Sequence, residues 1–253
     1  MDWSKAKTIL ILAFLALNAF LADQLLQAKG EQAQKQEVSR ETQQELQELL
    51  DKRHIRMKVD LPKKAFPVTS LDAKPLELKT LHEQDSRWES TAEGSYRLTL
   101  EAPWPSKQLE KHLQQTVPGF DQYRKSDESD PDQLVYYQHH DERPIFDSRL
   151  LVTMKDGAAS KLELYPLKIQ TVNNTSQTGL SAQDALVRLI ATGMIQKGST
   201  VVDVTLGYHG RPSYEGEDRV LYPVWKIETL QAAFYVNALT QEIEPITVNK
   251  RYF

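Results

Sequence analysis

The sequence contains no cysteine among its 253 residues, which excludes disulfides, thiolate-ligated zinc and thiol nucleophiles together. Stability must come from packing. An excess of positive charge is also missing. Thirty-one Lys and Arg stand against 35 Asp and Glu, a formal net charge of -4, so nothing in the charge balance points to nucleic acid. There is no HExxH, no CxxC pair and no EF-hand loop, the short patterns whose spacing builds a metal site. Long apolar runs are absent too, with one exception at the N-terminus.

That exception runs from Thr8 to Leu26. As a helix it rises about 28 Å, close to the hydrocarbon thickness of a bilayer. Lys5 and Lys7 precede the run and the next Lys is Lys29, so the positive-inside rule keeps the N-terminus in the cytoplasm and sends the remainder outside. The rival reading is a cleaved secretory signal. Ala13, Ala16, Ala19 and Ala22 recur every third residue without an A-x-A cleavage pattern at the place a peptidase needs one, which favours an uncleaved anchor. The same alanines would let another helix approach closely, and Asn18 sits near mid-membrane, where an amide gains from a partner on a neighbouring helix.

The organisation expected from the sequence is a cytoplasmic tip over residues 1–7, a transmembrane helix over 8–26 and a polar stalk helix over 27–53. An extracytoplasmic unit over 54–170, a linker over 171–180 and a second unit over 181–253 follow. Leu46, Leu49 and Leu50 give the stalk one short apolar face at i, i+3 and i+4. In the first unit, strands are expected over His54–Leu61, Tyr96–Ala102, Leu134–His139, Ile145–Met154 and Ser160–Ile169. Lys155-Asp156-Gly157 should close a hairpin between the last two of the sequence Ile145–Met154 and Ser160–Ile169. Ser106 is the expected N-cap of a helix in which Leu109, His112, Leu113 and Val117 share a face and which Pro118-Gly119 ends. In the second unit, Ser181 and Asp184 resemble a capping box for a helix with Leu186, Leu189, Ile190 and Gly193 on its buried stripe. Alternation of Val202, Val204, Leu206 and Tyr208 marks a strand, followed by Leu221–Thr229, Ala232–Ala238 and a last run through Ile243, Ile246 and Val248. Each unit thus has a helix and antiparallel strands. The fold class is α+β.

Chemical candidates are few. His139-His140-Asp141-Glu142 offers four potential ligands, but consecutive strand residues point to opposite faces and do not converge. Asp127 to Asp132 is acidic yet lacks the glycine and spacing of a calcium loop. His54, His82, His112 and His209 have no acid nearby at catalytic spacing. Trp104, Tyr222, Trp225 and Tyr235 either line a groove or belong to the core, the commoner fate of aromatics in short strands. Asn173 and Asn174 head Asn-x-Ser/Thr sequons. No catalytic residue, cofactor or metal is assigned.

The opening Met1-Asp2-Trp3-Ser4-Lys5-Ala6-Lys7-Thr8-Ile9, followed by an apolar run containing Asn18, resembles the start of the YycI (WalI) family. Tyr222-Pro-Val-Trp225 and Phe234-Tyr-Val-Asn-Ala-Leu-Thr-Gln-Glu-Ile243 resemble the closing hairpin of YycI and YycH proteins and, more loosely, PepSY modules. The resemblance implies a non-enzymatic membrane regulator of the WalK/WalR two-component system. Its implied partners are a WalK-like sensor histidine kinase and a YycH-like protein, contacted through the transmembrane helix at Ile11, Phe14, Leu15, Asn18 and Ala22. The alternative is an anchored module whose outer aromatic groove captures a peptide or cell-wall fragment.

Overall fold

The computed structural model describes residues 14, 17, 41–62, 67–92, 94–170, 177–210 and 218–246. The chain divides into two compact units, Met1–Arg53 and His54–Phe253. In the first, residues 41–53 are helical (α1), with Leu46 and Leu50 buried and Leu49 half-buried. The i, i+3, i+4 face read from the sequence is therefore the face withdrawn from water. The chain leaves this helix through His54, whose φ of 53° no helix continues.

The second unit is mostly sheet. Among the described residues fifteen strands run in chain order: β1 (Arg56–Met57), β2 (Pro67–Val68), β3 (Leu71–Pro75), β4 (Glu89–Ser90), β5 (Tyr96–Pro105), β6 (Tyr123–Lys125), β7 (Gln133–His140), β8 (Arg143–Lys155), β9 (Ala158–Tyr165), β10 (Leu167–Gln170), β11 (Gln177–Thr178), β12 (Thr200–His209), β13 (Arg219–Thr229), β14 (Ala233–Asn237) and β15 (Ile243–Ile246). Three further helices are α2 (Leu78–His82), α3 (Leu109–Thr116) and α4 (Ala182–Ala191). Thirteen strands share one sheet whose main path is β10-β3-β13-β12-β8-β9-β5-β4, and β2 and β11 form a separate pair.

Most of the local grammar holds. Asp156 and Gly157, at φ 52° and 75°, form the two-residue loop between β8 and β9, the left-handed pair that matches strand twist. Ser181 Oγ accepts a hydrogen bond from the Asp184 N–H at 3.1 Å, the first half of a capping box. On α4, Ala182, Ala185, Leu186, Leu189 and Ile190 are buried, and the helix lies against β13. Leu109, Leu113 and Val117 join Leu98, Leu150, Leu162 and Leu164 in one core, with His112 on the same helix stacked on Trp104. Burial of each such Leu contributes about 1.5–3 kcal/mol.

Five local expectations change. Ser106 does not cap α3: it opens a 3₁₀ turn, and its hydroxyl donates to the Gly157 carbonyl instead. Gly193 is not on the buried stripe of α4. It is exposed at φ 74°, the left-handed residue after the helix, where Gly193 N–H bonds Ile190 O and Met194 N–H bonds Leu189 O, a Schellman ending. A bulge between Val201 and Asp203 brings Val201 into phase with Val204 and Tyr208 and leaves Val202 half-buried. The expected Ser160–Ile169 strand is two strands, broken at Pro166, and the expected His54–Leu61 strand is reduced to Arg56–Met57.

The two halves expected at 54–170 and 181–253 lie in one compact unit and share the large sheet. The join is made by segments far apart in sequence. β1 runs parallel to β12, β3 pairs with both β10 and β13, and β8 meets β12 in parallel at Ile145 and Tyr208. Of the expected linker, 171–176 lie outside the described residues, and Gln177–Thr178 pair with Pro67–Val68.

At the β8/β12 crossing the backbone of Gly207 is in the way of any side chain. A Cβ there would sit 2.5 Å from the Phe146 ring and 2.5 Å from the Pro144 carbonyl oxygen. The backbone oxygen cannot swing aside as a side chain could. Gly207→Ala is therefore expected to lower the unfolding free energy by at least about 2 kcal/mol. Gly157→Ala, in open space but at φ 75°, should lose only about 1 kcal/mol. Urea unfolding of the two variants measures the difference, and equal losses would contradict the crossing geometry.

Candidate functional site

Of the residues assigned to the membrane contact, Ile11, Leu15, Asn18 and Ala22 lie outside the described residues. Phe14 is described and helical, as is its neighbour Leu17, and the two side chains are 64% and 53% exposed. Among the described residues no helix is long and apolar enough to cross a membrane.

Within the sheet unit the chemistry gathers on one face of β13 and β14. Alternation along β13 sends Val224, Lys226 and Glu228 to the same side. Lys226 is only 7% exposed and carries a charge into the interior. Its Nζ bonds Glu128 Oε1 and lies 2.5 Å from Glu228 Oε1, with the Phe146 ring 5.5 Å away. Glu128 sits in the β6–β7 loop, and its other oxygen accepts from the Tyr137 hydroxyl at 3.0 Å. That loop is built by its own polar side chains: Asp130 Oδ1 accepts from the N–H groups of Asp132 and Gln133, and Ser129 Oγ from Val135 N–H. The acidic run 127–132 thus serves as a turn that delivers one carboxylate to a lysine.

Burial opposes the charge on Lys226, but the two carboxylates outweigh it and hold its pKa above the usual lysine value. Burial and the nearby Glu128 push the Tyr137 hydroxyl upward, and burial does the same to Tyr235, opposite Lys226 on β14. These groups stay in single protonation states across the neutral range. The arrangement is a satisfied ion cluster with no free nucleophile or base.

A second cluster adjoins it. His209 Nδ1 lies 3.0 Å from Asp147 Oδ1, and Asp147 Oδ2 accepts from the Gly210 N–H at 2.8 Å. The imidazole stacks on Tyr235 with ring centres 4.2 Å apart, and Nε2 faces Glu244 Oε1 at 3.6 Å. The sequence shows no acid near His209, because Asp147 is 62 residues earlier. Only the crossing of β8 and β12 brings the two together.

The remaining candidates do not converge on one site, although His140 Nε2 lies 3.6 Å from Asp141 Oδ2. His139 Nδ1 engages the Tyr137 carbonyl, His140 packs edge-on to Tyr208, and Asp141 and Glu142 form the left-handed β7–β8 turn. The four aromatics do not form one groove. Trp225 is buried and donates to the Leu180 carbonyl, Trp104 stacks on His112, Tyr222 is exposed and Tyr235 belongs to the ion cluster. An open cleft of roughly 490 Å³ lies elsewhere, lined by Lys107, Lys125, Leu134, Tyr136 and Met154 among others. Asn173 and Asn174 lie outside the described residues.

Removing Lys226 would leave two carboxylates facing each other in a low-dielectric site. Lys226→Met is expected to destabilise the fold by about 3 kcal/mol, the lower end for broken buried pairs because both glutamates keep some contact with water. Glu128→Gln should lose less, and Lys226→Met combined with Glu128→Gln should recover part of the loss. Chemical denaturation of the three variants checks the order, and a neutral Lys226→Met would refute the cluster's role.

Comparison with known proteins adds the family. No curated protein matches this chain. Among solved structures, the chain is similar to an uncharacterized protein from Eubacterium rectale ATCC 33656, at 11% identity and a TM-score of 0.47, over 76% of this chain and 89% of that one. The family model described as YycI protein matches residues 33–239, from ahead of α1 through the end of β14. That match spans most of the chain, so the protein belongs to the YycI family, a regulatory, non-catalytic family associated with the WalK two-component system.

Proposed function

We propose that this protein is a single-pass membrane-anchored regulator whose residues 8–26 cross the cytoplasmic membrane with the N-terminus inside. The unit from His54 onward then lies outside the cell, and the anchor helix modulates a WalK-like sensor histidine kinase together with a YycH-like partner, affecting cell-wall homeostasis. Family membership over residues 33–239 carries the regulatory half of this reading. The matched segment begins after the apolar run, so the anchor rests on separate observations. These are the length and flanking charges of Thr8–Leu26 and the exposure of Phe14 and Leu17 on a helix, which leaves large apolar side chains in need of a nonaqueous surrounding.

A helix that binds two kinase conformations unequally biases their ratio, and one that binds both equally changes nothing. About 1.4 kcal/mol of difference is a tenfold change. Close packing along Ala13, Ala16, Ala19 and Ala22 with a hydrogen bond from Asn18 supplies terms of that size. No step calls for a catalytic group.

In-membrane photocrosslinking from positions 11, 14, 15, 18 and 22 tests the contact. The expected result is a helical pattern of adducts to a sensor kinase or a YycH-like protein. Asn18→Leu should reduce that capture by roughly three- to tenfold, the equivalent of about 0.6–1.4 kcal/mol. Absence of adducts, with regulation unchanged after the anchor is exchanged for an unrelated span, would overturn the mechanism.

A further inference from the structure

Strand β15 is a weakly anchored edge of the sheet. It pairs with β14 alone, and none of its four residues is fully buried. Its Glu244 is the carboxylate that faces His209, which in turn is held by Asp147 on β8 and stacked on Tyr235 of β14. We propose that His209, Asp147 and Glu244 form a proton-binding site that clasps β15 to the sheet, docked when the imidazole is doubly protonated and loosened when it is neutral.

The argument is one of donor count. A neutral imidazole has one N–H and one lone pair. Asp147 is fixed in place by the Gly210 N–H and lies within 3.0 Å of Nδ1, so the single proton of the neutral ring belongs on Nδ1. Nε2 then presents its lone pair to Glu244. It is buried, has no hydrogen-bond partner within normal range among the described residues and sits 3.6 Å from the carboxylate. A second proton turns this opposition into an ion pair, so two carboxylates at opposite nitrogens select the imidazolium.

The other charged and titratable groups around the ring do not interfere with this assignment. Tyr235 is held neutral by burial, and the Lys226 charge is taken up by Glu128 and Glu228. Burial works against the His209 charge, but Asp147 and Glu244 together outweigh it, and the imidazole pKa is raised. The sign follows from linkage: a raised folded value gives a contribution that is complete below the unfolded pKa, about 6.5, and is lost as pH rises through the folded one. β15 is therefore most firmly held in mild acid. The inference concerns the sheet unit alone and stands whether or not the anchor contacts a kinase.

Hydrogen exchange of the full-length chain in mild detergent, corrected for intrinsic rates, tests it between about pH 5.5 and 9. Protection of residues 233–246 should fall about tenfold across that range, while the β8–β9 hairpin stays constant. In Glu244→Gln, a change at a half-exposed side chain, protection should start low and vary little. His209→Gln should behave likewise. Proton titration of His209 followed by NMR should give a midpoint above the ordinary histidine value. A flat profile in the unmodified chain, an unchanged profile in Glu244→Gln, or a midpoint at or below about 6.5 would each overturn the proposal.

Discussion

The architecture depends on one close approach, the crossing of β8 and β12 at Gly207. There the Pro144 carbonyl and the Phe146 ring occupy the space that any side chain would take. Because Gly207 leaves it open, Ile145 can pair with Tyr208, and the strands beneath α3 become continuous with the strands beneath α4. Both ionic clusters are built on residues that flank this point. Phe146 lies over the crossing and contacts the Lys226 charge and the Tyr235 ring, while Asp147, the next residue, reaches His209, two residues beyond Gly207. One backbone contact thus places two sets of charged groups.

Charges buried in this way rarely add net stability over a well-packed apolar core, because withdrawing them from water offsets most of the attraction. Their effect is on uniqueness. Lys226 reaches both Glu228, on its own strand, and Glu128, 98 residues earlier in the chain. A slip of β13 by one residue would turn Lys226 and Glu228 together to the other face and leave the Glu128 carboxylate without its lysine. The cluster therefore penalises wrong registers more than it rewards the right one. The Tyr137 hydroxyl on the second oxygen of Glu128 removes the remaining freedom of that carboxylate.

What could be read from the chain was what depends on a few neighbouring residues. The Asp156-Gly157 turn, the Ser181 cap and the stripe of Leu186, Leu189 and Ile190 are set by spacing that a short window contains. Readings failed where a distant group intervened. Ser106 has the composition of a cap, but its hydroxyl is taken by Gly157, 51 residues away. The role of Leu71–Pro75 as the strand that joins β10 to β13 is visible only in three dimensions. The pairing of His209 with Asp147 left no local trace. The pairings that join the segments before and after residue 171 left no local trace either, since they link strands far apart in the chain.

A regulator that acts by biasing a partner's conformations needs little energy, and this fold shows where little energies reside. The core around Leu98, Leu113, Leu150 and Leu162 is fully withdrawn from water, and opening it would take most of the stability of the unit. β15, with four backbone partners and no fully buried side chain, opens at far smaller expense. A shift of about 1.4 kcal/mol, enough for a tenfold change in a two-state ratio, is within the range of one partly exposed ion pair combined with one hydrogen bond. Such a change can be made at the edge of the sheet without disturbing the Gly207 crossing. A fold divided in this way, rigid where β8 and β12 meet and weakly held at its last strand, can change state in one place while keeping its register everywhere else.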